Sequence, residues 1–515
     1  MYRTLVPVVQ HGFYRNSTNK EVVKTWRGTM NARLLQKHSW AKGMISSLII
    51  VLIIVPSLSV HAEAHGHYQY TEAPWKTYPY HPVGTDIVFP NDEGSHDQNQ
   101  YPYEWWYANF QLIGQTGNEY GVFVSFLKIH SQDLGDKEVR LFSISDISAG
   151  NTASNAEKGT LMASNDHLDL SFEYNTNYDE NSIPVGKNKC AQTELMKTTT
   201  TSVNKNTMKN SVQTDTIQNA AVVTDGNENK DGDSENLPHF DYWYTKTDGS
   251  DLLPFQYTLV VGGNAQQDSR PMSLNVDMDC LKRPLIAGGT GSLDLDPYGS
   301  SNYYSLTRVN VTGIIIVHGK TETVRGFAWV DHQWSYFHET QQRPYGIALA
   351  YEWFSLQLDH NQEILVADTW DRTTGEKIDH SVMGGLNLLN SYGALELFND
   401  YTIVQQGTWN DTTDQCLFSS GWYLNETSKS IRLIVTPVFD DQVMRLLGNY
   451  PMLQQILERW FTAAFFWEGV CTVSGTINGE PINGMAFVEL THRYSYRGDI
   501  DFSLPNDGSI PGGSL

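Results

Sequence analysis

Glu104-Trp-Trp-Tyr-Ala-Asn-Phe-Gln-Leu112, a turn from Gly114 to Asn118, and Tyr120-Gly-Val-Phe-Val-Ser-Phe-Leu-Lys128 follow one another along the chain. Rings and β-branched residues fill both flanks, while the residues between them favour tight backbone reversal, so the stretch reads as a β-hairpin. The same pattern continues downstream in Phe255–Val261, Tyr303–Val309, Gly313–His318 and Thr323–Trp329. It resumes in Gly346–Tyr351, Trp353–Leu358, Ile364–Trp370, Arg432–Pro437 and Phe487–Thr491. Many short strands separated by Gly, Asn and Asp predict an all-β protein of barrels or sandwiches. One helix is expected, over Gln442 to Phe461, where Val443, Leu446, Leu447, Leu453, Ile456, Leu457 and Trp460 recur at helical spacing around Pro451.

Composition agrees. Of 515 residues, 12% are aromatic, including 27 Tyr, 20 Phe and 14 Trp, and only 18% are charged. Large rings suit pleated, half-buried surfaces, and the length suits two domains of ordinary size. A net charge of -23 opposes binding to phosphate backbones, which draws on Lys and Arg, so nucleic acid is excluded as a partner.

The N-terminal region carries an export signal. Arg33, Lys37 and Lys42 precede an apolar run from Met44 to Val60, and Val60-His61-Ala62 then offers short side chains for cleavage after Ala62. The run also approaches the roughly 20 residues that span a bilayer, so an uncleaved anchor giving membrane association is the competing reading. Either way the body leaves the cytoplasm as a periplasmic or secreted protein, and Met30 is a second candidate start. The expected division is therefore a leader over 1–62, an extended lead-in over 63–98, a first domain over 99–338, a second over 339–500 and a tail over 501–515. Residues 191–237, rich in Thr, Asn, Lys, Asp and Ser, read as a polar insertion that cannot bury enough apolar surface to fold alone. Export permits disulfides among the four cysteines, and pairing within each domain gives Cys190 with Cys280 and Cys416 with Cys471.

Several blocks together are recognisable: Tyr103-Glu-Trp-Trp-Tyr-Ala-Asn109, Tyr303–Arg308, Gly326-Phe-Ala-Trp-Val-Asp-His-Gln-Trp-Ser335, Trp353–Asp359 and Gly484–Thr491. From about residue 81 to about residue 497 the chain resembles the AttH-like family, which includes carotenoid 1,2-hydratase (hydroxyneurosporene synthase). The resemblance implies two lipocalin-like antiparallel barrels packed together, with a ligand tunnel near their interface. Known members include hydratases and pericyclases, while others are labelled hydrolases, so the resemblance constrains the fold more tightly than the reaction. Two features depart from the family. Its usual Asp-His-Glu-Trp block here reads Asp331-His332-Gln333-Trp334, and the polar insertion has no recognised counterpart.

Hydrating an isolated alkene requires an acid that protonates carbon, rings or carboxylates that steady the cation, and one water. Near neutral pH the acid must be a buried carboxyl group or an imidazolium. By resemblance, His332 and Trp334 line the ligand cavity, and Asp368 in the Ile364–Trp370 strand is the downstream carboxylate; Asp331 is a further catalytic candidate. On a strand, His332 and Trp334 share one face while Asp331 and Gln333 share the other. The bland alternative is a polar stitch between domains, with His332 hydrogen-bonded and Trp334 filling the core. Trp105, Trp106, Tyr107, Trp353 and Glu104 complete the candidate ligand wall, although Glu104 suits equally a salt bridge closing the first barrel. Glu468 and Glu489 carry the same ambiguity, and Asp359 reads as a turn residue. The sequence has no metal-ligand spacing, phosphate loop or Gly-x-Ser-x-Gly elbow. The resemblance implies a small hydrophobic ligand, and no cofactor is expected, with catalysis, simple carriage and a structural envelope role as competing functions. If the leader is cleaved as the short side chains imply, N-terminal sequencing of the exported fraction will find Glu63 first; a soluble exported form that starts before Met44 would contradict this.

Overall fold

The computed structural model describes residues 75–131, 135–174, 239–340, 346–347, 349–371, 374, 376–411, 416–445, 465–491, 496–497 and 500–501. The leader, the polar insertion and the C-terminal tail beyond residue 501 lie outside the described residues. Antiparallel strands dominate. The opening hairpin is present as Tyr103–Gly114 and Glu119–Ser131, paired along their full length.

The first sheet has 13 strands, running from Tyr103–Gly114 to Lys320–Phe337, and these first and last strands pair with each other. Its two ends are Asn151–Lys158 and Thr160–Ala163, which adjoin in the chain through Gly159. Leu161 N donates to Glu138 Oε2 at 2.6 Å beside that junction. The second sheet repeats the plan with ten strands: Leu349–Leu358 pairs with Glu480–Leu490, and the ends Leu395–Phe398 and Tyr401–Gln405 are again neighbours in sequence. Each sheet thus curls into a nearly closed antiparallel barrel.

Three expectations need correction. The segments Tyr303–Val309 and Gly313–His318 form one 19-residue strand, Gly299–Val317, with a register shift between Leu306 and Val309. A β-bulge absorbs the irregularity without ending the strand. The segment expected as a helix starts as a strand, Val443–Arg445, because its backbone pairs with Phe465–Trp467; residues 446–464 lie outside the described residues. The expected disulfides are not made. Cys280 and Cys471 are free thiols buried in the two barrel cores, while Cys416 sits on a separate two-stranded ribbon with Thr408–Asp411 and Cys190 lies outside the described residues.

Three hydrophobic cores result. One fills each barrel, and the third lies in the seam between them, where Phe123, Trp329, Trp353, Phe466, Val470 and Phe487 interlock. Approach is close there: a Cβ on Gly121 would stand 2.1 Å from Val470 Cγ2, so only glycine fits. Polar contacts also cross the seam. Gln357 Nε2 donates to Thr307 O at 2.7 Å and Ala328 O at 2.9 Å. Glu363 of the second barrel, fully buried, accepts from Lys282 Nζ and Arg308 Nε of the first, both at 2.5 Å. The Lys282 ammonium also donates to Asn361 O and Asn390 O at 2.9 Å. Burial lowers its pKa, with Glu363 opposing that shift.

Removing Glu363 would leave two crowded cations without a counter-charge, a change that costs about 3–5 kcal/mol in comparable buried pairs. Glu363→Ala should therefore lower the denaturation midpoint strongly in urea titration. A loss below about 1 kcal/mol would mean that the triad behaves as a surface pair.

Candidate functional site

Four strands that face the seam are buried on both sides, so alternate residues serve different compartments. On Tyr103–Gly114, Trp105 and Tyr107 point to the seam while Glu104 and Trp106 point into the first barrel. On Lys320–Phe337, Asp331 and Gln333 take the seam while His332 and Trp334 face inward. On the second barrel, Tyr351 and Trp353 take the seam, as does Glu489.

These side chains line a cavity of about 60 Å³ bounded by Trp105, Tyr107, Tyr303, Asp331, Trp353 and Glu489, among others. That is room for a few waters or for the reacting portion of a larger ligand. Three carboxyl groups converge on it or just behind it. Asp331 Oδ1 accepts from Ser305 Oγ at 2.5 Å and Trp329 Nε1 at 2.8 Å, and Tyr303 hydrogen-bonds the same group. Burial nevertheless pushes Asp331 up to about 7. Glu489 Oε1 accepts from Tyr351 Oη at 2.8 Å, yet burial again drives its pKa to about 7, with the charge of Asp331 adding to the rise.

Glu468 stands directly across the ladder from Glu489. Its Oε1 accepts from Tyr107 Oη at 2.5 Å, whereas buried Oε2 has no partner among the described residues. Burial and then the Glu489 charge lift Glu468 well above the carboxylate range. Like charges directly opposite in a sheet are destabilising. Near neutral pH the cluster therefore holds protons that ordinary surface carboxyls would have lost.

The other candidates lie elsewhere. Glu104 pairs with histidines, and among the described residues it makes no ion pair with Lys or Arg. It sits between His96 Nδ1 at 2.8 Å and His332 Nε2 at 3.2 Å. Burial would raise Glu104, but the two histidines outweigh it and hold it at about 2. His332, lowered by burial against the pull of Glu104, stacks on Trp106, while Trp334 stacks on His96. These four expected cavity residues, Glu104, Trp106, His332 and Trp334, therefore form an inner cluster of the first barrel and do not border the seam cavity. Asp368 is also remote from it. Its neighbour Ala367 reaches the cavity, whereas Asp368 accepts from His380 Nε2 at 3.0 Å and Lys377 Nζ at 2.8 Å on the opposite strand face. Asp359 lies on the exposed turn Asp359–Asn361 and accepts from Asn483 N at 3.3 Å.

Residues 239–493 match the family model described as AttH-like. The chain belongs to the AttH-like family. Solved structures similar to this AttH-like chain include an AttH-type protein from Nitrosomonas europaea, at 18% identity over 80% of this chain and 98% of the other, with a TM-score of 0.49. Kievitone hydratase from Nectria haematococca is similar at 13% identity over 81% and 99% of the two chains, with a TM-score of 0.47. Among curated proteins none matches.

Sequence reasoning did not single out Tyr303 and Tyr351 for the site. The available signal was alternation: Tyr351 and Trp353 flank Glu352 as Tyr103 and Trp105 flank Glu104, and in each case the rings and the acid must part to opposite faces.

A carboxyl whose folded pKa lies above its unfolded value binds more protons when folded, so stability falls as pH rises between the two values. For Asp331 and Glu489 that window runs from the ordinary range, 3.8 and 4.5, up to about 7. Asp331→Asn and Glu489→Gln cannot ionise, and each should gain stability relative to the parent protein as pH goes from 4 to 8, at about 1.4 kcal/mol per unit of pKa difference removed. Calorimetric melting across that range checks it; parallel pH profiles for parent and variants would refute the shifts.

Proposed function

We propose that this AttH-like protein is an exported, cofactor-independent hydratase or isomerase of an apolar isoprenoid, polyketide or lipid, and that the reaction takes place in the seam cavity. The observation that carries this reading is the set of carboxyl groups raised toward neutrality inside a wall of rings. A site that only carried an apolar molecule would gain nothing from Asp331 and Glu489, whose burial costs stability.

Asp331, protonated, is the acid. Its proton passes to one alkene carbon, the π pair forms the new C–H bond, and a carbocation develops on the neighbouring carbon. Trp105, Trp353, Tyr107 and Tyr303 present rings to that cation, each worth about 0.5–2 kcal/mol. Water then adds through its oxygen, and Glu489 as carboxylate takes the proton released, so the net change is one water consumed with one C–H and one C–O bond formed. Transfer of that proton back to Asp331 resets the pair. Loss of a different C–H proton from the cation gives isomerisation with the same residues. A general acid or base of matched pKa contributes typically about 10²–10⁴-fold.

Incubation of the protein in D2O with a panel of isoprenoid alkenes and unsaturated lipids tests this, with mass spectrometry reading deuterium gained at carbon. Asp331→Asn should reduce incorporation by about 10²–10⁴-fold while binding stays within a few-fold. Trp353→Ala should weaken binding itself. Binding of an alkene by the parent protein without any deuterium transfer would instead mark a carrier.

A further inference from the structure

The inner cluster of the first barrel has a geometry that its role in packing does not require. Three donor atoms, His96 Nδ1, Glu104 Oε1 and His332 Nε2, lie within 4.8 Å of one another. The carboxylate oxygen is 2.8 Å from one imidazole nitrogen and 3.2 Å from the other. Around a tetrahedral ion with bonds near 2.0–2.1 Å, donor pairs stand about 3.3 Å apart, so the two carboxylate–imidazole pairs are near that spacing, and the two imidazole nitrogens, within 4.8 Å of each other, would close toward it on binding.

The outer nitrogens of both rings are held as well. His96 Nε2 lies 3.1 Å from Asp92 Oδ1, and His332 Nδ1 lies 2.8 Å from the carbonyl oxygen of the same residue. Each outer nitrogen faces only an acceptor, which assigns it the N–H and leaves the inner nitrogen of a neutral ring as a lone pair aimed at the shared point. Metal-bound histidines are oriented in this way, by a carboxylate or a backbone carbonyl on the far nitrogen. Without an ion, each inner nitrogen would have to donate to Glu104 Oε1 although its outer nitrogen also faces an acceptor. A dication satisfies both inner lone pairs and the carboxylate together, with each ring neutral.

The surroundings fix the ring planes. Trp334 stacks on His96 at 4.0 Å and 6°, and Trp106 stacks on His332 at 4.7 Å and 18°. Ser95 Oγ donates to Glu104 Oε2 at 2.9 Å, which leaves Oε1 turned toward the histidines. Lys128 Nζ donates to Ser95 Oγ at 2.9 Å. His96 is the most exposed of the three ligands and gives the site its side open to solvent.

We infer that His96, Glu104 and His332 bind one divalent first-row transition ion, with zinc the best match to two imidazoles and a carboxylate, and that Asp92 orients both imidazoles. The site lies inside the first barrel, on the opposite strand faces from Asp331 and the seam cavity, so its occupancy and the proposed reaction are separable.

The experiment uses the untagged full chain, stripped with a chelator and dialysed. Zinc is counted by elemental analysis after reconstitution, and Co²⁺ is titrated while visible d–d absorption is followed. One equivalent of either metal is expected, with a cobalt band of low-symmetry tetrahedral type that zinc displaces. Glu104→Gln should abolish the band, Asp92→Asn should weaken affinity by about 10–100-fold, and Glu489→Gln in the seam should leave both unchanged. Circular dichroism establishes that each variant is folded. Failure of the parent protein to hold one equivalent or to develop the band overturns the site in favour of a metal-free hydrogen-bonded cluster, whatever the variants do. A band that survives in folded Glu104→Gln overturns it equally.

Discussion

Strands buried on both faces constrain everything else in this molecule. Tyr103–Gly114, Lys320–Phe337, Leu349–Leu358 and Glu480–Leu490 each have a barrel core on one side and the seam on the other. A side chain on such a strand cannot escape to water, and its neighbours point the opposite way. Any polar residue there must be satisfied within one of two apolar compartments. A one-residue slip would exchange Asp331 with His332 and destroy both polar clusters together. The register of the Tyr103–Gly114 and Lys320–Phe337 pair, made across more than 200 residues of chain, therefore fixes both sites.

The two barrels use the same plan with different chemistry. Trp105 pairs with Gln333 in the first, and Trp353 pairs with Glu489 in the second. Gln333 thus holds the position that Glu489 holds across the seam. Its amide donates to Ser301 Oγ at 2.5 Å and adds no charge. A glutamate there would bring a fourth carboxyl group to a region where the charge of Asp331 already raises Glu489 and both raise Glu468. The amide that separates this chain from the usual Asp-His-Glu-Trp block has a local electrostatic consequence: it leaves the proton balance to fewer groups.

A similar contrast holds inside the barrels. Glu104 and Glu352 follow a tyrosine at corresponding places in the first strand of each barrel. Glu352 is held by Gln405 Nε2 at 2.9 Å, Trp422 Nε1 at 3.0 Å and the Ser419 hydroxyl, all neutral donors. Glu104 meets two imidazoles instead. The first arrangement simply satisfies a buried carboxylate, whereas the second gathers donor types that ligate metals. Equivalent position does not imply equivalent use.

Alternation of large rings with polar residues, turn residues between strands and a low charged fraction by themselves determined an all-β protein of barrels or sandwiches, because period-two burial is written in local sequence; that there are two barrels was what the family resemblance implied. The Asp331-His332-Gln333-Trp334 block also showed that its members must part to two faces. Which face meets which compartment was not legible, since that depends on a partner strand more than 200 residues away and on how the second barrel covers the first. Family resemblance directed attention to His332 and Trp334 as cavity residues, and tertiary structure turned them into the first barrel and gave the cavity to Asp331. The cluster of His96, Glu104 and His332 was invisible for the same reason: its ligands come from a loop and two strands, with no short spacing to betray them. Likewise, free Cys471 reflects the direction its side chain takes into the core of the second barrel. Local sequence sets what a segment becomes; only the packing of distant segments decides which side chains meet and what their proximity does to a proton or an ion.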